Sequence, residues 1–113
     1  MKYLLTCLLA SALLVSATMF AVQSRQTFSG TITDDECPGA DHSGMRMGST
    51  DAACVQACIR AHSGSYVLYD GKDVYTLSDQ RAPEKFAGQK VTVVGTLDAT
   101  TKTIRVDSIA AAR

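Results

Sequence analysis

The sequence predicts a mainly β fold, a small barrel of five strands with one α-helix after the first strand. Two observations carry most of this prediction. Several short segments alternate apolar and polar residues with a period of two, as strands with one buried face do. A single segment, "GSTDAACVQACIRAHSG", instead has the composition and the end signals of a helix.

The predicted strands follow in order along the chain. "TFSGTIT" places Phe28, Gly30 and Ile32 on one face. "SYVLYDGKDVYTLSD" is a hairpin signal around Asp70-Gly71, because glycine tolerates the positive φ of a tight turn. Two further alternating segments, "QKVTVVGTLDA" and "KTIRVDSIAA", are joined by a connection short enough for a second hairpin. Their apolar residues are predicted to face inward: Val91, Val93, Ile104 and Val106. Between the hairpins, "RAPEKFAGQ" is expected to form a turn or one helical turn.

Two glycines indicate how the five strands are arranged. Gly30 and Gly95 fall on the inward phase of their strands, where a strand that coils around a narrow barrel needs a missing side chain. A barrel of this size with one helix is of the OB type. The alternative is an open five-stranded meander covered by the helix.

A family resemblance agrees with the barrel. "FSGTI", "YVLYDGKDVYTLSD" and "KVTVVGTLDATTKTIRVDSI" resemble the strand pattern of bacterial periplasmic OB-fold proteins. The wider pattern "SGTITDDEC…H…C…C…YVLYDGKDVYTLSDQ…FAGQKVTVVGTL" is similar to small exported bacterial proteins of unknown function with a Cys/His-containing insertion after the first strand. The resemblance implies fold and export but no activity. Many OB-folds place their helix between the third and fourth strands, so this chain departs from that pattern.

The N-terminal segment is expected to be a signal peptide, residues 1–24. Lys2 precedes a charge-free apolar run, and small residues close it. A retained membrane anchor is the alternative, since about 20 apolar residues can span a bilayer. Cleavage would leave one OB-like domain, residues 25–113, in the periplasm or secreted, with a Cys/His/Met insertion over residues 34–64. Only the signal segment would contact a membrane.

The charge pattern disfavours one class of partner. The chain has 11 Lys/Arg and 11 Asp/Glu, with a formal net charge of zero and no basic stripe. Binding of nucleic acid depends on neutralising phosphates, so it is not expected.

The helix is predicted to run from about Asp51 to Ser63. Ser49 or Thr50 can cap its first turn, and Gly64 is expected to end it. Cys54, Cys58 and His62 then lie along one face at i, i+4 and i+8.

The cysteines of the insertion allow three interpretations. In the first, Cys37 forms a disulfide with Cys54 or Cys58, which an oxidising compartment would preserve. Cys54 and Cys58 are poorly placed to bond each other, because their Cα–Cβ vectors run nearly parallel. A disulfide that closes a loop of this length would stabilise the domain by about 3 kcal/mol in the chain-entropy model.

The second interpretation is a metal site. Cys37, Cys54 and Cys58, with His42 or His62 as the fourth ligand, would suit tetrahedral Zn²⁺. Thioethers favour Cu(I) instead, and Met45 and Met47 supply them. The spacing C-x₁₆-C-x₃-C is not a standard zinc-finger spacing.

The third interpretation, a reactive thiol, has little support. No redox or protease motif is present, and the acids before Cys37 oppose formation of its thiolate. The acidic run "TDDE" itself is expected to be a solvated strand end.

The sequence therefore predicts a small exported binding protein that is not an enzyme and that binds Zn or Cu through the insertion. The alternative is a disulfide-stapled OB-type module without metal, which binds a protein or a small ligand on the barrel face.

Overall fold

A computed structural model describes residues 23–113 of the chain. The predicted signal peptide falls almost wholly on residues 1–22, which lie outside the described residues. Over residues 23–113, no helix has the length and apolar character needed to cross a bilayer.

The described residues form five strands, one α-helix and one 3-10 helix. In chain order these are β1 (Gln26–Asp34), α1 (Asp51–His62), β2 (Tyr66–Tyr69), β3 (Val74–Leu77), the 3-10 helix (Ala82–Phe86), β4 (Lys90–Asp98) and β5 (Thr103–Ala111). The single α-helix after the first strand is as predicted. The 3-10 helix confirms the helical turn expected between the hairpins.

The five strands close into a ring in the order β1-β2-β3-β5-β4. The structure thus contains the barrel and not the open meander. The ring is uneven: β4 pairs with β5 from Val91 to Asp98, whereas β3 meets β5 at only two residue pairs, Thr76 with Thr103 and Leu77 with Ile104. That short pairing is parallel, and every other pairing is antiparallel.

Strand β1 contributes to the ring with two partners. Gln26–Thr31 pair with β4, and Thr31–Asp34 pair with β2. The strand therefore changes neighbour at Thr31 and carries its last residue, Asp34, opposite Tyr66. This partner change places the end of β1 next to the insertion.

The core confirms the predicted inward faces. Side chains from four strands are fully buried and belong to one cluster: Ile32, Leu68, Val91, Val93 and Ile104. Phe28 and Val106, also predicted to face inward, are partly buried and pack against that cluster. The helix adds Val55, which is fully buried, and Ile59.

Gly30 and Gly95 lie where neighbouring strands approach closely. A Cβ at Gly30 would collide with the carbonyl of Tyr69, and a Cβ at Gly95 would collide with the carbonyl of Arg105. The β4–β5 pairing also shifts register at Gly95. Both glycines therefore allow the sheet to curve, as the sequence predicted.

The predicted ends of α1 are correct to within one residue. The Thr50 hydroxyl accepts a hydrogen bond from the Ala53 amide at 3.1 Å, which identifies Thr50 rather than Ser49 as the cap. Ser63, with φ 50°, adopts the left-handed conformation that ends the helix. The expectation that Gly64 would end the helix was therefore wrong by one position.

Candidate metal centre

The end of β1 forms a tight turn around the Asp34 carboxylate. Asp34 is fully buried, and its Oδ1 accepts hydrogen bonds from the amides of Glu36 at 3.0 Å and Cys37 at 2.9 Å. The Thr33 hydroxyl donates to the Cys37 carbonyl at 2.8 Å. Two buried side chains thus fix the backbone of Cys37.

The loop then turns back and brings His42 to the same place. The Ala40 amide donates to the Cys37 carbonyl at 2.9 Å, and Ala40 adopts a positive φ of 58°. The Met45 amide donates to the His42 carbonyl at 3.3 Å. His42 lies under this loop with only 3% of its surface exposed.

Asp34, Cys37 and His42 form a buried cluster with ligand-type atoms. One atom from each residue, a carboxylate oxygen, a thiol sulfur and an imidazole nitrogen, lies within 4.8 Å of the other two. We call this the Asp34–Cys37–His42 cluster. It combines three of the side-chain types that bind transition metals.

Two polar atoms of the cluster lack hydrogen-bond partners. Asp34 Oδ2 and His42 Nδ1 are both buried, and neither has a partner among residues 23–113. They lie 4.0 Å apart, which is too long for a hydrogen bond. A buried polar atom left unsatisfied costs about 1–3 kcal/mol, so such atoms are uncommon in folded proteins.

The surroundings of Cys37 favour the neutral thiol. Burial raises the pKa of Cys37 above its ordinary value of 9.0, and the charges of Asp34, Asp41, Cys54 and Glu36 raise it further. A bound cation reverses this effect, because a coordinating thiol is deprotonated by the metal.

Helix α1 presents two more buried thiols beside the cluster. Cys54 and Cys58 are both fully buried. The Cys54 thiol donates to the Gly48 carbonyl at 3.2 Å. Burial raises the pKa of Cys58, and Asp34 and then Cys37 are the next largest causes, so Cys58 lies within electrostatic reach of the cluster.

Cys37, Cys54 and Cys58 are free thiols, and the structure of residues 23–113 contains no disulfide. The sequence named these three as joint ligands or as a disulfide pair with one left over. The structure buries all three, but it brings only Cys37 within ligand distance of Asp34 and His42.

The other predicted ligands lie away from the buried cluster. His62 is exposed at the end of α1. Met45 and Met47 are each 41% exposed on the loop. Of the two histidines considered as a fourth ligand, the structure therefore places His42, and not His62, beside Cys37.

Asp34 is the residue that the sequence interpretation missed. The run "TDDE" was expected to be a solvated strand end, but Asp34 is fully buried, and only Asp35 and Glu36 are exposed. The reason is that β1 continues into its pairing with β2 and is covered by the returning loop. The strand period carried the signal: Asp34 lies two residues after Ile32, on the inward phase.

Comparison with known proteins adds one match. A family described as "Protein of unknown function (DUF5818)" matches residues 58–112, just under half of the chain. The matched region begins at Cys58 and covers β2 to β5. No match was found to a curated protein or to a solved structure.

Proposed function

We propose that this chain is a small exported binding protein of OB type that holds a thiophilic divalent metal ion, with Zn²⁺ as the favoured ion, at the Asp34–Cys37–His42 cluster. The protein is not an enzyme in this proposal. Export is supported by the apolar N-terminal segment with its small closing residues. The OB type is supported by the closed ring of five strands and its order.

The main support for the metal site is a pair of buried atoms without hydrogen-bond partners, Asp34 Oδ2 and His42 Nδ1. Two ligands that bind one Zn²⁺ at 2.0–2.1 Å in tetrahedral geometry are roughly 3.4 Å apart. The 4.0 Å between these atoms is close to that separation. A cation between them would satisfy both atoms at once, which no described protein group does.

The ligand types favour zinc over copper. A carboxylate, a thiolate and an imidazole suit Zn²⁺, whereas Cu(I) prefers thiolates and thioethers. The thioethers of Met45 and Met47 are exposed and are not part of the buried cluster. The set also disfavours Mg²⁺ and Ca²⁺, which take oxygen ligands.

Metal binding can be tested with the two histidines of the domain. Structural Zn²⁺ sites have apparent binding free energies of about 10–16 kcal/mol, so one ligand of four contributes roughly 2.5–4 kcal/mol. We expect one Zn²⁺ per chain and a loss of affinity of about 100-fold or more in His42→Ala. His62→Ala is the matched control and should bind as the wild type does, because His62 is exposed.

The measurement is a zinc titration against a competing chelator under reducing conditions, with native mass spectrometry to count bound ions. Equal affinities for the two histidine variants would contradict the proposal. So would a wild-type chain that binds no Zn²⁺.

A further inference from the structure

We infer that Cys58 is the fourth ligand of the metal site and that Cys54 is not a ligand. This inference rests on the proposed function, because it completes the coordination of the same ion. Zn²⁺ in a structural site takes four ligands in tetrahedral geometry, and the cluster supplies three. Cys54 and Cys58 are the two further buried thiols of the described chain, and they are one helical turn apart.

The Cys54 thiol already has a partner at the other end of the loop. It donates to the Gly48 carbonyl at 3.2 Å. Gly48 packs closely on the start of α1, since a Cβ there would lie 2.7 Å from the Ala53 side chain and 3.0 Å from the Cys54 amide. Cys54 is therefore held against the chain that leads into the helix, and its hydrogen bond explains why it is buried.

The second half of α1 is tied to the residues that follow β1. The Asp35 amide donates to the Ser65 carbonyl, and the Ser65 amide donates to Asp35 Oδ1, both at 3.1 Å. A Cβ at Gly64 would lie 2.7 Å from Asp35 Oδ1 and 3.5 Å from the Cys58 carbonyl. Asp35 adjoins Asp34 in the chain, so these contacts bring the Cys58 turn of the helix to the Asp34 side of the cluster.

The Cys58 thiol has no hydrogen-bond partner within residues 23–113, although it is fully buried. A fourth ligand position accounts for this buried thiol on the turn of α1 that the Asp35–Ser65 hydrogen bonds hold next to the end of β1. The resulting set has two thiolates, one carboxylate and one imidazole.

This set has a chemical consequence for the site. Four protein ligands fill the tetrahedral positions and leave none for a water molecule or a substrate. The site would hold a borderline or soft divalent ion such as Zn²⁺, Co²⁺ or Cd²⁺ in a closed cage. It would also retain its ion in the presence of Mg²⁺ or Ca²⁺.

Cobalt(II) substitution tests the inference directly. Tetrahedral Co²⁺ shows strong visible d–d bands, and sulfur-to-cobalt charge transfer in the near ultraviolet grows with the number of thiolates. Anaerobic titration of the wild-type chain, residues 25–113, with Co²⁺ should show tetrahedral binding with two thiolates. Cys58→Ser should lose about half of the charge-transfer absorbance, and Cys54→Ser, the matched control one turn away, should keep all of it.

Serine at a buried position could prevent folding, so Cys58→Ala is measured as a second variant. Circular dichroism of the metal-free variants shows whether each one folds. A wild-type spectrum with one thiolate overturns the inference, even if no variant folds. Loss of charge transfer in Cys54→Ser but not in Cys58→Ser also overturns it, while tight binding of Co²⁺ leaves the proposed function standing. A wild-type chain that binds no Co²⁺ contradicts the proposed function, and the inference with it.

Discussion

The barrel and the insertion, residues 34–64, bury side chains of opposite chemistry. Inside the ring most of the buried residues are aliphatic, and they come from all five strands. Inside the insertion the buried residues include a carboxylate, an imidazole and three thiols. Both regions belong to the same small domain and pack against each other through Val55 and Ile59.

The two regions differ in what burial does to the free energy of folding. The barrel interior gains free energy simply by leaving water. The insertion buries two polar atoms without partners, an arrangement that costs free energy in the metal-free chain. A small domain has little stability to spare, so the proposed cation would offset a cost that matters to the whole fold.

The largest expected effect concerns the insertion. Zn²⁺ at 1,000 times its Kd should stabilise the wild-type domain by about 4 kcal/mol, because the ion binds only the folded state. His42→Ala should lose most of this stabilisation, and His62→Ala should retain it. Urea unfolding with and without Zn²⁺ measures the difference. A zinc effect that is the same in both variants would place the ion elsewhere.

The next effect belongs to the barrel and should not depend on metal. Val93→Ala removes two buried methyl groups and should lower the free energy of unfolding by about 1–3 kcal/mol with or without Zn²⁺. Thr92→Ala, on the opposite face of β4, should change it by less than about 0.5 kcal/mol. A larger effect at Thr92 would mean that the two faces of β4 are exchanged.

A third substitution, Asp34→Asn, should not weaken the metal-free protein but should weaken its binding of Zn²⁺. Asp34→Asn keeps an oxygen for the amides of Glu36 and Cys37 but removes a buried negative charge. The metal-free variant should therefore be as stable as the wild type, or more stable by up to about 2 kcal/mol, while its affinity for Zn²⁺ falls.

Asp35→Asn is the control for this prediction, because Asp35 is the exposed neighbour and its amide form can still accept from Ser65. It should leave zinc affinity unchanged. If Asp34→Asn weakened the metal-free protein by several kcal/mol, the carboxylate would be a stabilising group and not a site kept for a cation.

The smallest effect is a pH dependence of the metal-free domain. The pKa values of Cys37 and Cys58 are raised in the folded state, mainly by burial. Above the ordinary thiol pKa of 9.0, the unfolded chain releases protons that the folded chain retains. This stability contribution is present below pH 9 and is lost as pH rises through the folded-state values.

The comparison needed is between the wild type and the Cys37→Ser/Cys58→Ser double variant, because Tyr66 and Tyr75 also have raised pKa values and would add their own slope at higher pH. Between about pH 8.5 and 10, the range in which free thiols titrate, the double variant should lose less stability than the wild type does. Parallel curves for the two proteins would show that the thiols are not desolvated.

The barrel could be predicted from the sequence because its signals are local. Alternation in β1 and β4 identified the inward residues, and Asp70-Gly71 marked a turn in which Gly71 has a φ of 100°. The cluster could be predicted only in part. Cys37 and His42 stood out as metal-ligand types, but Asp34 depends on a strand that changes partner and a loop that folds back. The inward phase of β1 pointed to Asp34, but neither the partner change nor the returning loop that covers it leaves a signal in the sequence.

The partner change of β1 at Thr31 also determines the order in which the molecule can assemble. Gly30 pairs with Val91 and Thr31 with Lys90, so β1 must wait for a strand that lies far along the chain. Contacts between such distant residues form slowly, because a long loop must close first. A chain emerging from a translocation channel with its N-terminus first would present the Cys37 and His42 loop well before β4. Because α1 packs on the barrel core through Val55 and Ile59, solvent and thiol-reactive molecules could reach the cysteines of the insertion until β4 has joined the ring.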